Sequence, residues 1–155
     1  MNPDRLLAMV QQHMSAMGWT YFDRFGLVCK LTEELGELAS CLNGTVLDAD
    51  HTMLEIGDSL FALCCMANAH KIAWDSEILE CPVDNKPVQQ LFLELASSYG
   101  KLAKALGDIK GNSSLKDCLT ECFCDIGAVA ARLGYDPKDC LKRSIQKFSA
   151  RDKDR

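Results

Sequence analysis

Four carboxylates in two short runs stand out from the chain. Lys30-Leu31-Thr32-Glu33-Glu34-Leu35-Gly36-Glu37-Leu38-Ala39 holds Glu34 and Glu37 three residues apart. Met53-Leu54-Glu55-Ile56-Gly57-Asp58-Ser59-Leu60-Phe61 repeats that spacing with Glu55 and Asp58. Residues three apart share one face of a helix. At about 100° per residue, Glu34 and Glu37 flank a leucine stripe, and Glu33 lies further round toward solvent. Like charges so placed repel by a few tenths of a kcal/mol, and a cation between them removes that cost. Two helices joined by a short loop pack antiparallel, so Glu34, Glu37, Glu55 and Asp58 are expected to converge on one groove. An all-oxygen site without His or Cys suits Mg²⁺ or Mn²⁺ rather than zinc. Magnesium held by few protein ligands completes its shell with water and substrate phosphates. The expected chemistry is metal-assisted attack on phosphate. Acidic pairs are also common on plain solvated helix faces.

The elements that must carry these acids read as helices throughout. Leu31, Leu35, Leu38 and Leu42 form one stripe of a helix from near Arg24 to Asn43-Gly44. Ile56, Leu60, Leu63 and Met66 form a second, from about Ala49 to Lys71. Leu91, Leu95, Leu102 and Leu106 form a third that ends at Gly107. Leu119, Phe123, Ile126, Val129 and Leu133 form a fourth that stops at Gly134. Pro3 to Met17 reads as an N-terminal helix closed by Gly18, and Pro137 opens a short last helix. The stretch 81–87 reads as a linker, and Asp152 to Arg155 as frayed. Nothing alternates with period two, so the expected fold is all-α.

The halves resemble each other. Leu35-Gly36-Glu37-Leu38-Ala39-Ser40-Cys41-Leu42 parallels Tyr99-Gly100-Lys101-Leu102-Ala103-Lys104-Ala105-Leu106. The next helix repeats its apolar positions one residue out of step, as a loop deletion would give. The shared Gly-x-Leu-Ala-x-x-Leu string points to a duplicated α-hairpin. The expectation is one domain over residues 1–155. Its four-helix-bundle core has extra N- and C-terminal helices, a catalytic half at about 1–80 and a degenerate half at about 88–151. In the second half Ser97, Ser98 and Lys101 replace Glu33, Glu34 and Glu37, and Cys118 and Glu121 replace Glu55 and Asp58.

Composition narrows the function classes. The chain has 155 residues, 48% of them hydrophobic and 25% charged, the balance of an ordinary globular domain. Lys+Arg number 17 against 22 Asp+Glu, a net charge of −5 that argues against backbone binding to nucleic acid. No apolar run reaches the roughly 18–20 residues that span a bilayer, and no secretory signal is visible. The odd count of 9 cysteines points to reduced thiols in the cytoplasm, acting mostly as small core hydrophobes. His13, His51 and His70 share no spacing and read as surface or satisfied histidines.

The contexts Glu-Glu-Leu-Gly-Glu-Leu and Glu-Ile-Gly-Asp-Ser-Leu-Phe resemble those of the MazG-like nucleotide pyrophosphohydrolases. That group belongs to the all-α NTP pyrophosphatases, with the dimeric dUTPases and the phosphoribosyl-ATP pyrophosphohydrolases. The resemblance runs over residues 28 to 67. It is weaker at Cys140-Leu141-Lys142-Arg143-Ser144-Ile145-Gln146-Lys147-Phe148, where Ile145 stands in place of the family's usual asparagine. The resemblance implies hydrolysis of a nucleoside triphosphate, with a deoxynucleotide preferred, between its α- and β-phosphates. Glu34, Glu37, Glu55 and Asp58 would hold Mg²⁺, with Mn²⁺ as a substitute. Glu34 or Glu37 would take the water's proton, and Glu33 would stand in the outer shell. Trp19, Tyr21, Phe22 and Phe25 are candidates for base recognition, and Lys30, Lys101 and Lys147 for the phosphates. The same resemblance implies a homodimer. The alternatives are a base-selective, dUTPase-like member and a helical binding or assembly module without turnover.

Overall fold

A computed structural model describes residues 1–75, 79, 85–108 and 114–153. These form six helices and, among the described residues, no strand: α1 (Pro3–Met17), α2 (Arg24–Leu42), α3 (Ala49–Ala69), α4 (Val88–Gly107), α5 (Leu115–Arg132) and α6 (Pro137–Lys153). The fold is all-α.

Each start has a local cause. Asn2, Asp23, Asp48 and Ser114 lie just before α1, α2, α3 and α5 and accept from backbone N–H groups three residues on, at 2.7 to 3.2 Å. Gly18 closes α1 at φ 66, a left-handed conformation that favours glycine. α3 ends at Ala69, two residues before the expected Lys71. The last helix is not short. It runs 17 residues and takes in Asp152 and Lys153, which had been expected to fray. Residues 81–84 of the expected linker, together with 154 and 155, lie outside the described residues.

α3 is the hub. It packs against α1, α2, α5 and α6, while α4 packs against α2 and α5. The expected leucine stripes face inward, with Leu38, Leu60, Leu95, Leu102 and Leu119 fully buried. Trp74, which the helical pattern did not single out, is also fully buried. Its indole donates to Thr120 Oγ1 at 2.8 Å and meets the Phe123 ring edge-on.

α2 departs from the expected stripe. Its buried line runs Leu27, Leu31, Glu34, Leu38, Leu42. Leu35 is only partly buried, because α2 turns its face to α3 and α4 together. Cysteine behaves as expected at Cys64, Cys65, Cys122 and Cys140, all buried thiols. Cys29 corrects that reading: it is exposed, on the side of α2 away from Leu27 and Leu31.

Among the described glycines, the closest approach brings α6 onto α3. A Cβ on Gly57 would lie 2.2 Å from the Cys140 carbonyl oxygen. Only glycine permits that crossing, and the crossing sets α6 beside Asp58.

Candidate metal centre

α2 supplies Glu33, Glu34 and Glu37, α3 supplies Glu55 and Asp58, and α6 supplies Ser144 and Lys147. Carboxylate oxygens of Glu34, Glu55 and Asp58 lie within 4.8 Å of one another, as do those of Glu33, Glu34 and Glu37. Glu34 belongs to both groups and joins them. The Glu37 carboxyl also meets that of Glu55. The spacing of four acids on two successive helices does bring them together.

Their burial differs from the symmetric picture. Glu34 is 1% exposed, and Glu55 and Asp58 are each 4% exposed. Glu37 and Glu33 are exposed. Glu34 therefore sits in the buried face of α2, with Glu37 at its open edge. Glu34 Oε2 and Glu55 Oε2 are buried and have no hydrogen-bond partner. An unpaired buried carboxylate oxygen is costly, and a cation is one way to satisfy it.

Side chains of the chain itself already meet the other oxygens. Lys30 Nζ lies 2.5 Å from Glu34 Oε1 and 3.3 Å from Glu33 Oε1. Lys147 Nζ lies 2.6 Å from Asp58 Oδ2, and Ser144 Oγ donates to Asp58 Oδ1. His51 Nε2 lies 3.0 Å from Glu55 Oε1. His51 and Ser144 were not anticipated as site residues. For His51 the signal was present, since it precedes Glu55 by one helical turn. Ser144 carried none, because only the α3–α6 crossing brings it near.

The electrostatics follow from crowding in a dry place. Burial, reinforced by Asp58 and Glu37 and opposed by Lys30, pushes the Glu34 carboxyl up to about 7. Burial and the Glu37 and Asp58 carboxyls raise Glu55. Burial works against the charge on Lys147, but the hydrogen bond and charge of Asp58 outweigh it and hold the ammonium above the usual lysine range. Lys30 is raised in the same way by Glu34 and Glu33.

The remaining candidates divide. Trp19 is half-buried and meets the rings of His13 and Phe148 edge-on at 5.3 and 6.2 Å. Phe61 meets Phe148 at 5.0 Å. Lys147 Nζ lies 5.7 Å from the centre of the Phe148 ring, so this aromatic group adjoins the lysine that pairs with Asp58. Phe22 and Phe25 are 62% and 77% exposed and take no part in it. Tyr21 donates to Gln11. Lys101 turns its ammonium to Glu121 Oε1 at 2.5 Å, and Ser98 donates to Asp125. Among the described residues, the second half has no cluster of acids comparable with that of the first.

No protein-family model, curated protein or solved structure matches the chain.

Chemically, the cluster is an all-oxygen donor set with two unsatisfied buried oxygens, and with Lys30, Lys147 and His51 at other oxygens of the set. That set fits a hard divalent cation such as Mg²⁺ or Mn²⁺.

Proposed function

We propose that the chain is a Mg²⁺-dependent nucleoside triphosphate pyrophosphohydrolase of the MazG-like kind, acting in the cytoplasm. The observation that carries the reading is the convergence of Glu34, Glu55 and Asp58 oxygens within 4.8 Å, two of them buried without a partner. The resemblance of the two acidic runs to that family supplies the reaction.

Glu34, Glu55 and Asp58 would hold the ion, with Glu37 at the open edge. A bound divalent ion offsets charge on the phosphate oxygens and acidifies water. Glu37 is exposed and stands beside Glu55, where it can accept the proton of water attacking the α-phosphorus. Glu34 is the other candidate for that proton. The α–β bridging oxygen departs with pyrophosphate, leaving the monophosphate. Lys147 offers a positive charge to the phosphates once it leaves Asp58. Trp19, with Phe148 and Phe61, offers apolar surface for a base.

A second reading has its own support. Lys30, Lys147 and His51 already pair with the acids, and Ile145 lacks a polar group. The cluster could then be an internal ion network in a helical module without turnover. A third reading keeps the metal and narrows the base, as in a dUTPase.

The deciding experiment incubates the chain with each common ribo- and deoxynucleoside triphosphate, with Mg²⁺ and then with EDTA. Metal-dependent release of monophosphate and pyrophosphate is expected, and the preferred base separates the first reading from the third. Diphosphate plus phosphate would overturn the assigned bond cleavage. No turnover, together with no Mg²⁺ binding by calorimetry, would leave the ion network.

The homodimer is part of the proposal. Phe25 on α2 and Leu93 on α4 are 77% and 67% exposed, and a groove of about 390 Å³ lies between the two helices beside Leu93. The outward line of α2 through Phe25, Cys29, Thr32, Gly36 and Ser40 carries no charge. Two helices of roughly 28 Å, each about 10 Å wide, present on the order of 600 Å² in projection. A stable interface takes about 800 Å² of accessible surface per partner, and a corrugated face exceeds its projection. A second copy of this chain is the occupant this reading assigns to the face.

A further inference from the structure

α6 places a separate side chain at each oxygen of Asp58. Ser144 Oγ donates to Oδ1, and Lys147 Nζ lies 2.6 Å from Oδ2. The two contacts differ in their surroundings. Ser144 is 0% exposed and Asp58 4%, so the serine bond is sealed between α3 and α6. The Lys147 side chain is 41% exposed, and its ammonium can turn out to water. One oxygen is held from inside, and the other is covered by a group able to leave.

The helix crossing does not need the hydroxyl. A Cβ on Gly57 would lie 3.0 Å from the Ser144 Cβ, so position 144 must be small. Alanine is as small at that contact and is the better helix former. What serine adds is a donor. An ionised carboxylate only accepts hydrogen bonds, so the proton between the two residues belongs to Ser144. A hydroxyl anchored at one oxygen restrains rotation of the carboxylate and presents the other. Glu34 and Glu55 each offer an oxygen within 4.8 Å of one from Asp58, and each keeps a buried oxygen without a partner. A cation taken up there needs Asp58 turned the right way.

We infer that Ser144 is a positioning residue: it anchors Oδ1 of Asp58, so that Oδ2, the oxygen under Lys147, is the atom that meets the cation. The inference rests on the metal reading proposed above. It gives α6, which lies outside both acidic runs, a part in ion binding that is separate from the charge of Lys147.

The test uses the full chain with Mn²⁺ alone as probe, well below each melting point, and follows free Mn²⁺ by electron paramagnetic resonance. Ser144→Ala keeps the Cβ at the crossing and removes the hydroxyl. Its Mn²⁺ affinity is expected to fall about 10- to 100-fold. Cys140→Ala is the structural control, because it trims a buried side chain of the same helix and takes no group from Asp58. It is expected to lower the melting temperature and keep the parental Mn²⁺ affinity. Parental affinity in Ser144→Ala overturns the inference and leaves the metal reading standing. An equal loss in both variants also overturns it, by tracing the effect to the packing of α6. Lys147→Met uncovers Oδ2 and is expected to bind Mn²⁺ more tightly than the parent; binding no tighter overturns the choice of Oδ2. Should Ser144→Ala not fold, Ser144→Cys decides, since a thiol is a weak donor of similar size: weakened binding sustains the inference, and parental binding overturns it. A parent chain that binds no Mn²⁺ overturns the metal reading itself, and the inference falls with it.

Discussion

Glu34 is buried and surrounded by other carboxylates, and the consequences can be worked out with their sign. Its folded pKa stands at about 7 against an ordinary 4.5, with burial the largest cause. Between those values the folded chain holds a proton that the unfolded chain releases. Stability from this group is complete below pH 4.5 and is lost as pH rises through 7. The shift corresponds to about 3 kcal/mol. Denaturant unfolding in EDTA should therefore give a lower midpoint at pH 8 than at pH 5.5. Saturating Mg²⁺ should flatten that slope, because the ion holds the carboxylates ionised. A midpoint that rises with pH in EDTA would contradict the site's electrostatics. Glu34→Gln carries the same argument to one atom. It should raise metal-free stability by roughly 1–3 kcal/mol, since it removes a buried charge, and it should abolish Mg²⁺-dependent turnover. Calorimetry and product analysis on the same sample check both halves. The acids were legible in the sequence because spacing along a helix is local. The central place of Glu34 was not, because it depends on α2 meeting two neighbours at once.

Helix crossings decide which acids acquire partners. α6 reaches Asp58 because Gly57 lets the Cys140 carbonyl pass where a Cβ would stand. Gly57→Ala should force the two helices apart, lower stability by about 1–3 kcal/mol and weaken the Lys147–Asp58 pair. Gly36 and Gly100 provide the control within the same fold, since a Cβ at either meets nothing within 4 Å. Gly100→Ala should therefore stabilise the chain by roughly 0.5–1 kcal/mol through helix propensity alone. Thermal unfolding of the two variants side by side should show shifts of opposite sign. Helix positions and caps were legible from apolar period, Gly18, Gly134 and the proline starts. The length of α6 was not, because its polar residues hid a helix that continues along α3. Its Ser144 and Lys147 could be placed only by a crossing between segments distant in sequence.

At the scale of the molecule, the proposed ion and the proposed second copy would each add to the stability of the fold. If Mg²⁺ binds the folded chain alone, 100-fold excess over its Kd should add about 2.7 kcal/mol, and EDTA should remove it. The melting temperature measured across a Mg²⁺ series checks this, and a flat series would favour the internal ion network. Light scattering should return about twice the chain mass of 17.1 kDa. Leu93→Lys should return the single chain with its helix content kept. A parent chain that scatters as a monomer would remove the dimer from the proposal. The all-α class was legible because no segment alternates, while the outward face of α2 and α4 emerges only once the inward stripes are seen covered. The pairing of Lys147 with Asp58 across 89 positions also has a history in time. A ribosome adding about 5–20 residues per second makes Asp58 roughly 4–18 s before Lys147. Through that interval the acidic hairpin has no lysine from α6, and Gly57 faces an empty groove. If the acids hold a cation, as proposed, it would meet the nascent hairpin before α6, the helix that later competes for Asp58.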